Sequence, residues 1–132
     1  MVKTVLFVCV HNAGRSQMAE AFFNKFAQGK ARALSAGTDP AVTVDLTVVE
    51  VMREVGIDIS RNKPKALTPE MVDQAGKVVT MGCGAEKVCP ATWVQTEDWE
   101  LEDPKGKSIE KVREIRDEIR TRVIKMLEEA GY

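Results

Sequence analysis

The sequence predicts an α/β fold, a single-domain three-layer sandwich with a central four-stranded parallel sheet and helices on both faces. Two observations carry this prediction. Short apolar stretches alternate along the chain with segments whose apolar residues recur at helical spacing. The first stretch, 5–8, lacks polar alternation, which is typical of a strand buried on both faces of a parallel sheet. The 132 residues, 44% of them hydrophobic, suffice for one core, so we predict one domain over residues 1–132.

The first half of the chain predicts two strands and two helices. The strand over 3–8 precedes a helix over 16–28, whose end is marked by Gly29. A second strand covers 31–36 and is closed by Gly37. The helix predicted over 45–55 rests on periodicity, because its β-branched residues lower helix propensity. The residues expected to face the core from that helix are Leu46, Val49, Met52 and Val55.

The second half predicts two more pairs of elements. Thr68 as N-cap and a proline at the first position indicate a short helix over 69–75. Strands are predicted over 77–81 and 94–99, with irregular chain over 82–91. The last helix, 107–129, begins at Lys107 or Ser108 and carries an apolar stripe. We expect the methionines at helical spacing to fill the core rather than bind a ligand, and Trp99 to be buried. These methionines are Met18, Met52, Met71 and Met126.

Composition narrows the function and the compartment. A net charge of −1 points neither to nucleic acid nor to an anionic membrane. The apolar stretch near the N-terminus is too short to span a bilayer, and signal cleavage near Ala13 would discard Cys9. Three cysteines without an export signal indicate a reducing cytoplasm, where thiols are catalytic or bind metal. We therefore expect a cytoplasmic protein with no membrane or nucleic-acid partner.

Cys9, followed after five residues by Arg15 and then Ser16, is the most informative motif. The loop leaves the carboxyl end of a strand and enters a helix, so its N–H groups and the helix dipole favour an anion. Arg15 adds a planar fork for two oxygens of a tetrahedral oxyanion. The same field favours the Cys9 thiolate as a nucleophile, and Ser16 can donate a hydrogen bond to the sulfur.

The residues between these two predict the rest of an oxyanion site. Asn12 and Gly14 tolerate the positive φ that a tight loop needs, and we expect His11 to point away from the anion. A buried structural cysteine is the alternative for Cys9 alone, but it leaves Arg15 unexplained. The expected substrate-binding residues are Val10, His11, Asn12, Ala13, Gly14, Arg15 and Ser16.

Two further thiols follow the third predicted strand. Cys83 starts at the carboxyl edge of the sheet, so it could approach Cys9 if the two strands are close. Cys89, six positions on, could close a disulfide with Cys83. A three-thiol relay is then possible, each step an attack of a thiolate on sulfur. Alternatively, Cys83 packs under a turn and Cys89 is an incidental surface thiol. Three cysteines and one histidine do not have zinc-site spacing, so we expect no metal and no cofactor.

A thiolate that attacks an oxyanion centre expels an oxygen, which a carboxylic acid can protonate. Four carboxylates precede the last helix, and their spacing does not separate them. Asp103 is the candidate acid, because Pro104 restrains its backbone to an extended form. The competing residues are Asp98, Glu100 and Glu102.

These motifs resemble the thioredoxin-coupled arsenate reductases, which share their fold with the low-molecular-weight tyrosine phosphatases. The resemblance covers essentially the whole chain. It rests on residues 9–20, 34–37, 55–60, 78–83, 89–90 and 102–107. The spacing of Cys9, Arg15 and Ser16 is common to both branches, whereas the pair of Cys83 and Cys89 is specific to the reductases.

The resemblance implies a reaction scheme. Cys9 attacks arsenate held by the loop and Arg15, and Asp103 protonates the departing oxygen. Cys83 then attacks Cys9 and arsenite leaves, and Cys89 moves the disulfide to Cys83–Cys89, which thioredoxin reduces. The resemblance thus implies arsenate as substrate and thioredoxin as partner, and we expect a monomer.

One departure from the family concerns a potassium ion that many relatives hold beside the loop with Asn, Glu, Ser and Asp. Asn12, Glu20 and Ser35 match the first three, but Lys65 stands where the Asp is expected. We hypothesise that the Lys65 ammonium takes the place of the cation and supports Asn12 and Glu20 directly. Together with Ser16, these are the predicted loop-supporting residues.

Two other functions compete with the reductase. A phosphatase would use Cys9, Arg15 and Asp103 and leave the other thiols idle. The Lys105-Gly106 pair after Pro104, in place of the aromatic pair typical of that branch, disfavours it. An arsenic- or phosphate-binding sensor would need neither Arg15 nor Asp103.

Overall fold

The computed structural model describes residues 3–81 and 95–131. These residues form eight elements in the predicted order, with every boundary within two residues of the prediction. The strands are β1 (Lys3–Cys9), β2 (Ala31–Gly37), β3 (Lys77–Thr80) and β4 (Gln95–Asp98). The helices are α1 (Arg15–Ala27), α2 (Leu46–Glu54), α3 (Pro69–Gln74) and α4 (Ile109–Glu129). Thr68 caps α3 as predicted. Ser108, one of the two residues expected to begin the last helix, is the N-cap of α4, and each of the two side chains accepts a backbone N–H.

The four strands form one parallel sheet in the order β2-β1-β3-β4. β1 is therefore a central strand, with Cys9 beside Gly37 on one flank and Val8 beside Thr80 on the other. The carboxyl ends of β1 and β3 meet at one edge of the sheet, which is where ligands bind in such folds. This arrangement confirms the predicted α/β class.

Successive side chains of β1 enter two separate cores. Phe7 packs with Phe23 of α1 and with Trp99, at ring-centroid distances of 6.0 and 5.6 Å, in the core shared with α2 and α4. Leu6 and Val8 pack on the opposite face in the core beside α3. The sheet thus has helices on both faces, and the burial of Trp99 is confirmed.

The prediction for the inward face of α2 is wrong at Leu46, whose exposed fraction is 82%. Val49 and Met52 are buried as expected, and they are joined by Val48 and Val51. Leu46 is the first residue of the helix after the N-cap Asp45, and the face it occupies is turned outward. Among residues 3–81 and 95–131, no helix combines the length and apolar character that crossing a membrane requires.

Candidate active site

The nucleophile candidate Cys9 lies at the carboxyl end of β1 and is buried. Its Sγ atom lies 2.9 Å from Oγ of Ser16, in the first turn of α1. This contact joins the two ends of residues 9–16, which we call the oxyanion loop. Because a hydroxyl can donate to sulfur, the contact has the geometry needed to stabilise a thiolate.

The outer side of the oxyanion loop is held by the segment that follows β2. Backbone N–H groups of residues 38, 39, 41 and 45 donate to the carbonyl oxygens of residues 9, 10, 11 and 13, at 2.8–3.0 Å. Within the described parts of the chain, residues 10–14 donate no hydrogen bond to a backbone carbonyl. Their N–H groups therefore remain available to an anion.

Asn12 and Gly14 are both expected to tolerate positive φ, and only Asn12 adopts it. Asn12 has φ 49°. Gly14 has φ −143°. A Cβ atom at Gly14 would lie 2.7 Å from Cγ of Pro104, so the glycine is needed for close approach rather than for backbone freedom.

Arg15 links the oxyanion loop to two other segments and is almost fully buried. Its Nη1 donates to the carbonyl oxygen of Met81 at 2.7 Å and to that of Leu101 at 3.1 Å. Its Nη2 lies 3.8 Å from Oδ2 of Asp103. One nitrogen thus holds the surrounding chain, while the other faces the proposed acid.

The candidate acid Asp103 lies in residues 99–105, which we call the acid loop. Its Oδ1 accepts the N–H of Lys105 at 3.0 Å, and 44% of its side chain is exposed. Among the four competing carboxylates, Asp98 accepts a hydrogen bond from the hydroxyl of Thr80, and Glu102 forms ion pairs with two lysines at the start of α4. Asp103 alone of the four lines the cavity that Cys9 also lines.

That cavity has a volume of about 180 Å³ and lies between the oxyanion loop and the acid loop. Its rim contains Ala41, Thr43 and Asp45, which the sequence analysis did not assign. The sequence signal that points to Asp45 is its place just before α2, where its carboxylate accepts the N–H of Thr47 as an N-cap. His11 also lines the cavity, and its Nδ1 lies 3.2 Å from the carbonyl oxygen of Asp39.

The loop-supporting residues lie beneath the oxyanion loop. Nδ2 of Asn12 donates to Oγ of Ser16 at 2.7 Å. The Ser35 hydroxyl donates to Glu20 at 2.9 Å, and the Lys65 ammonium lies 4.0 Å from the same carboxylate oxygen. The backbone N–H of Lys65 donates to Oδ1 of Asn12 at 2.8 Å. The prediction gave this supporting role to the Lys65 ammonium instead.

Two residues that the sequence analysis missed complete this network. Gln17 is fully buried, and its Nε2 donates to Oδ1 of Asn12 at 3.1 Å. Asn62 donates from Nδ2 to Oε1 of Gln17, also at 3.1 Å. A polar residue next to the Arg-Ser pair, in a helix with an apolar face, was the one available signal.

Cys83 and Cys89 lie outside the described residues, as does Trp93. Met81, the residue just before this stretch, donates its N–H to Val8 at 2.8 Å and accepts from Arg15. Met81 therefore lies at the edge of the sheet that carries Cys9. Among the side chains that the structure describes, no three His, Cys, Asp or Glu residues cluster as metal ligands would.

Comparison with known proteins agrees with this geometry. The family model for low molecular weight phosphotyrosine protein phosphatase matches residues 4–131. The glutaredoxin arsenate reductase of Synechocystis is 39% identical over 126 residues, which are 92% of this chain and 94% of that protein.

Two solved structures have the same fold. The thioredoxin-dependent arsenate reductase of Corynebacterium glutamicum superposes with a TM-score of 0.84 at 40% identity, covering 97% of this chain. This chain spans 61% of that protein's length. The arginine phosphatase of Geobacillus stearothermophilus has a TM-score of 0.87 at 27% identity, covering 97% of this chain and 92% of that one.

Proposed function

The chain belongs to the low molecular weight phosphotyrosine protein phosphatase family, and from this premise we propose that it is a thioredoxin-dependent arsenate reductase. The observation that carries the proposal is one cavity lined by Cys9, Arg15 and Asp103. A nucleophile, an oxyanion fork and an acid are the groups that attack on an oxyanion centre requires. The names of the reductase relatives support arsenate as the oxyanion.

The first step forms a sulfur–arsenic bond. The Cys9 thiolate attacks arsenic, and one arsenic–oxygen bond breaks. The departing oxygen leaves as water after it takes a proton from Asp103. The free N–H groups of the oxyanion loop and Nη2 of Arg15 hold the remaining oxygens.

The second step reduces arsenic. The Cys83 thiolate attacks Cys9 sulfur, the sulfur–arsenic bond breaks, and its electron pair stays on arsenic, which leaves as arsenite. Cys89 then attacks Cys83, which frees Cys9 and leaves a Cys83–Cys89 disulfide. A dithiol of thioredoxin reduces that bond. Arsenic(V) accepts two electrons from thiols under mild conditions, so the extra thiols convert a phosphatase pocket into a reductase.

The shape of the cavity supports a small inorganic substrate. Its volume is about 180 Å³, which leaves room for a tetrahedral oxyanion. The acid loop continues from Pro104 into Lys105-Gly106, not into the aromatic pair typical of the phosphatase branch. Ester hydrolysis by the same cavity is then a weak side activity.

We also propose that the chain acts as one domain, residues 1–132, and as a monomer, because residues of a single chain line the cavity. Its thiol chemistry fits a cytoplasm kept reducing. In that compartment the reaction serves arsenic detoxification.

The decisive assay is arsenate-dependent NADPH consumption coupled through thioredoxin and thioredoxin reductase. Cys9→Ser should abolish arsenate reduction and ester hydrolysis together. Cys83→Ser should stop arsenite formation and spare hydrolysis of p-nitrophenyl phosphate, and Cys89→Ser should allow at most one turnover with thioredoxin. Normal thioredoxin-coupled cycling by Cys89→Ser would contradict the relay. Turnover with glutaredoxin and not with thioredoxin would keep the reductase and change its partner.

The Lys65 ammonium, in this proposal, replaces the potassium ion of related proteins beside Glu20. Activity should then be independent of potassium at fixed ionic strength. Lys65→Met should lower activity and make it respond to added potassium. A clear potassium dependence of the unsubstituted protein would reject this role.

A further inference from the structure

Beneath the oxyanion loop, hydrogen-bonded side chains connect Asn62 to Cys9 through Gln17, Asn12 and Ser16. We propose that Gln17 and Asn62 are positioning residues that fix the direction of the hydrogen bond from Ser16 to the Cys9 sulfur. This inference deepens the proposed function, because it concerns the nucleophile of the same site. It assigns a role to two residues outside the oxyanion loop.

The direction of each bond follows from backbone groups that can only donate or only accept. The N–H of Lys65 points at Asn12 at 2.8 Å, so the Asn12 atom that it meets is the amide oxygen. The amide nitrogen of Asn12 then faces Oγ of Ser16, which accepts at 2.7 Å. The single hydroxyl proton of Ser16 is left for Cys9 Sγ, 2.9 Å away. Ser16 is therefore the donor in that contact.

Gln17 is oriented by a backbone group in the same way. The carbonyl oxygen of Lys63 can only accept, and the Gln17 atom 3.5 Å from it is therefore the amide nitrogen. That nitrogen also donates to Asn12 Oδ1, which reinforces the orientation set by Lys65. Oε1 of Gln17 is turned the other way and accepts from Asn62. Each member of the line thus constrains the donor and acceptor ends of the next.

Burial gives these constraints their strength. Asn12, Ser16 and Gln17 have exposed fractions of 0%, so water does not compete for their hydrogen bonds. Within the described residues, no buried side-chain nitrogen or oxygen is left without a partner. A reversed amide would set oxygen against oxygen, which a dry network does not tolerate. Asn62 is exposed and anchors the outer end.

The test measures Cys9 directly, in fully reduced protein. Iodoacetamide alkylation of the Cys9 peptide, followed by mass spectrometry from pH 6 to 9, reports the thiolate fraction separately from Cys83 and Cys89. Gln17→Met keeps the size of the side chain and removes its donors. We expect about fivefold slower alkylation at pH 7, the factor for one weakened hydrogen bond, and convergence with the unsubstituted rate at pH 9.

Asn62→Ala is the second variant, and it remains informative if Gln17→Met fails to fold, because Asn62 lies at the surface. It should slow alkylation at pH 7 about twofold, since its bond is one step further from sulfur. The matched control is Asn24→Ala, which removes two amide bonds between α1 and Ala33 of β2, away from the cavity. This control should lower Tm and leave the pH profile of alkylation unchanged.

The charged or titratable residues around Cys9 are the same in every variant, so a changed profile reports the network. Within residues 3–81 and 95–131, those that line its cavity are His11, Arg15, Asp45, Asp103 and Lys105. A lower Tm with an unchanged pH profile of alkylation in both Gln17→Met and Asn62→Ala would overturn the proposal. The network would then only stabilise the fold. Alkylation needs no arsenate, so the two proposals can fail separately. If the variants change the alkylation profile but the unsubstituted protein reduces no arsenate, only the proposed function is contradicted.

Discussion

The oxyanion loop and the acid loop form opposite walls of one cavity, yet they are built from different interactions. Neutral side chains with no exposed surface, Asn12 and Ser16, hold the oxyanion loop. The acid loop has Asp103 and Glu102 partly in solvent, and Glu102 forms ion pairs with lysines at the start of α4. The oxyanion loop, which binds the charged substrate, is thus held by side chains excluded from water. The acid loop, which carries the proton donor, is in contact with water.

The difference teaches which property each wall needs. Stabilising an oxyanion requires donors that are already oriented before the substrate arrives, and burial keeps them so. An acid must be reprotonated after each turnover, so contact with water serves it. Arg15 belongs to both walls, because it starts α1 and bonds the carbonyl oxygen of Leu101. Four substitutions measure how separate the walls are.

Arg15→Lys should have the largest effect, since it damages both walls at once. A lysine cannot bond Met81 and Leu101 while also presenting a second nitrogen toward Asp103. We expect kcat/KM for arsenate and for p-nitrophenyl phosphate to fall roughly 10²–10³-fold, as on loss of an oxyanion donor. Unchanged rates for both substrates would mean that neither wall depends on Arg15.

Asp103→Asn should damage the acid wall alone. Loss of the proton donor should reduce hydrolysis of p-nitrophenyl phosphate about a hundredfold, within the range for general acids. Alkylation of Cys9 should not slow, because the oxyanion loop is intact and the substitution removes a negative charge from the cavity that Cys9 lines. Equal loss in an Asp98→Asn variant, whose carboxylate is bonded to Thr80, would assign the acid elsewhere.

Gly14→Ala tests the contact between the walls. Its Cβ would lie 2.7 Å from Cγ of Pro104, so the acid loop must move outward. We expect about tenfold slower ester hydrolysis, consistent with a displaced acid. The control is Gly76→Ala, whose nearest neighbour would be Thr4 oxygen at 3.8 Å, an ordinary contact. Equal rates for both variants would show that the acid loop can shift away from residue 14 without loss of activity.

Glu102→Gln should have the smallest effect. A hydrogen bond from Lys111 holds the pKa of the Glu102 carboxyl below its ordinary value, with Lys107 adding to the attraction. A carboxyl with a lowered native pKa stabilises the fold above its unfolded pKa, and this stability is lost as pH falls through the native pKa.

The Tm of Glu102→Gln should therefore lie slightly below that of the unsubstituted protein at pH 7, and the gap should close in acid. Activity should stay within about twofold, because an exposed ion pair contributes little. A persistent Tm gap at pH 2 would show that Glu102 acts by something other than its charge.

The fold could be predicted because its signals are local. Val5–Val8 has the unbroken apolar pattern of a central parallel strand, and Thr68 and Ser108 mark helix starts by their own side chains. The prediction for Leu46 was wrong because periodicity shows which residues share a helix face. It does not show at which residue along the helix that face begins to contact the core. The oxyanion loop was predictable for a similar reason, since its parts are adjacent in sequence.

The acid wall and the buried network were not predictable in the same way. Four carboxylates lie within residues 98–103, and only the packing of Pro104 on Gly14 and the contact with Arg15 distinguish Asp103. Gln17 meets Asn62 across 45 positions, and the sequence holds no local trace of that meeting. Contacts between distant segments need the fold itself.

The position of β1 at the centre of the sheet also has a consequence for biosynthesis. Cys9 leaves the ribosome 94 positions before Asp103. At about 5–20 residues per second, the thiol waits roughly 5–20 s before the opposite side of its pocket exists. The sulfur of the nascent chain thus stays uncovered for that time, because the acid loop has not yet been made.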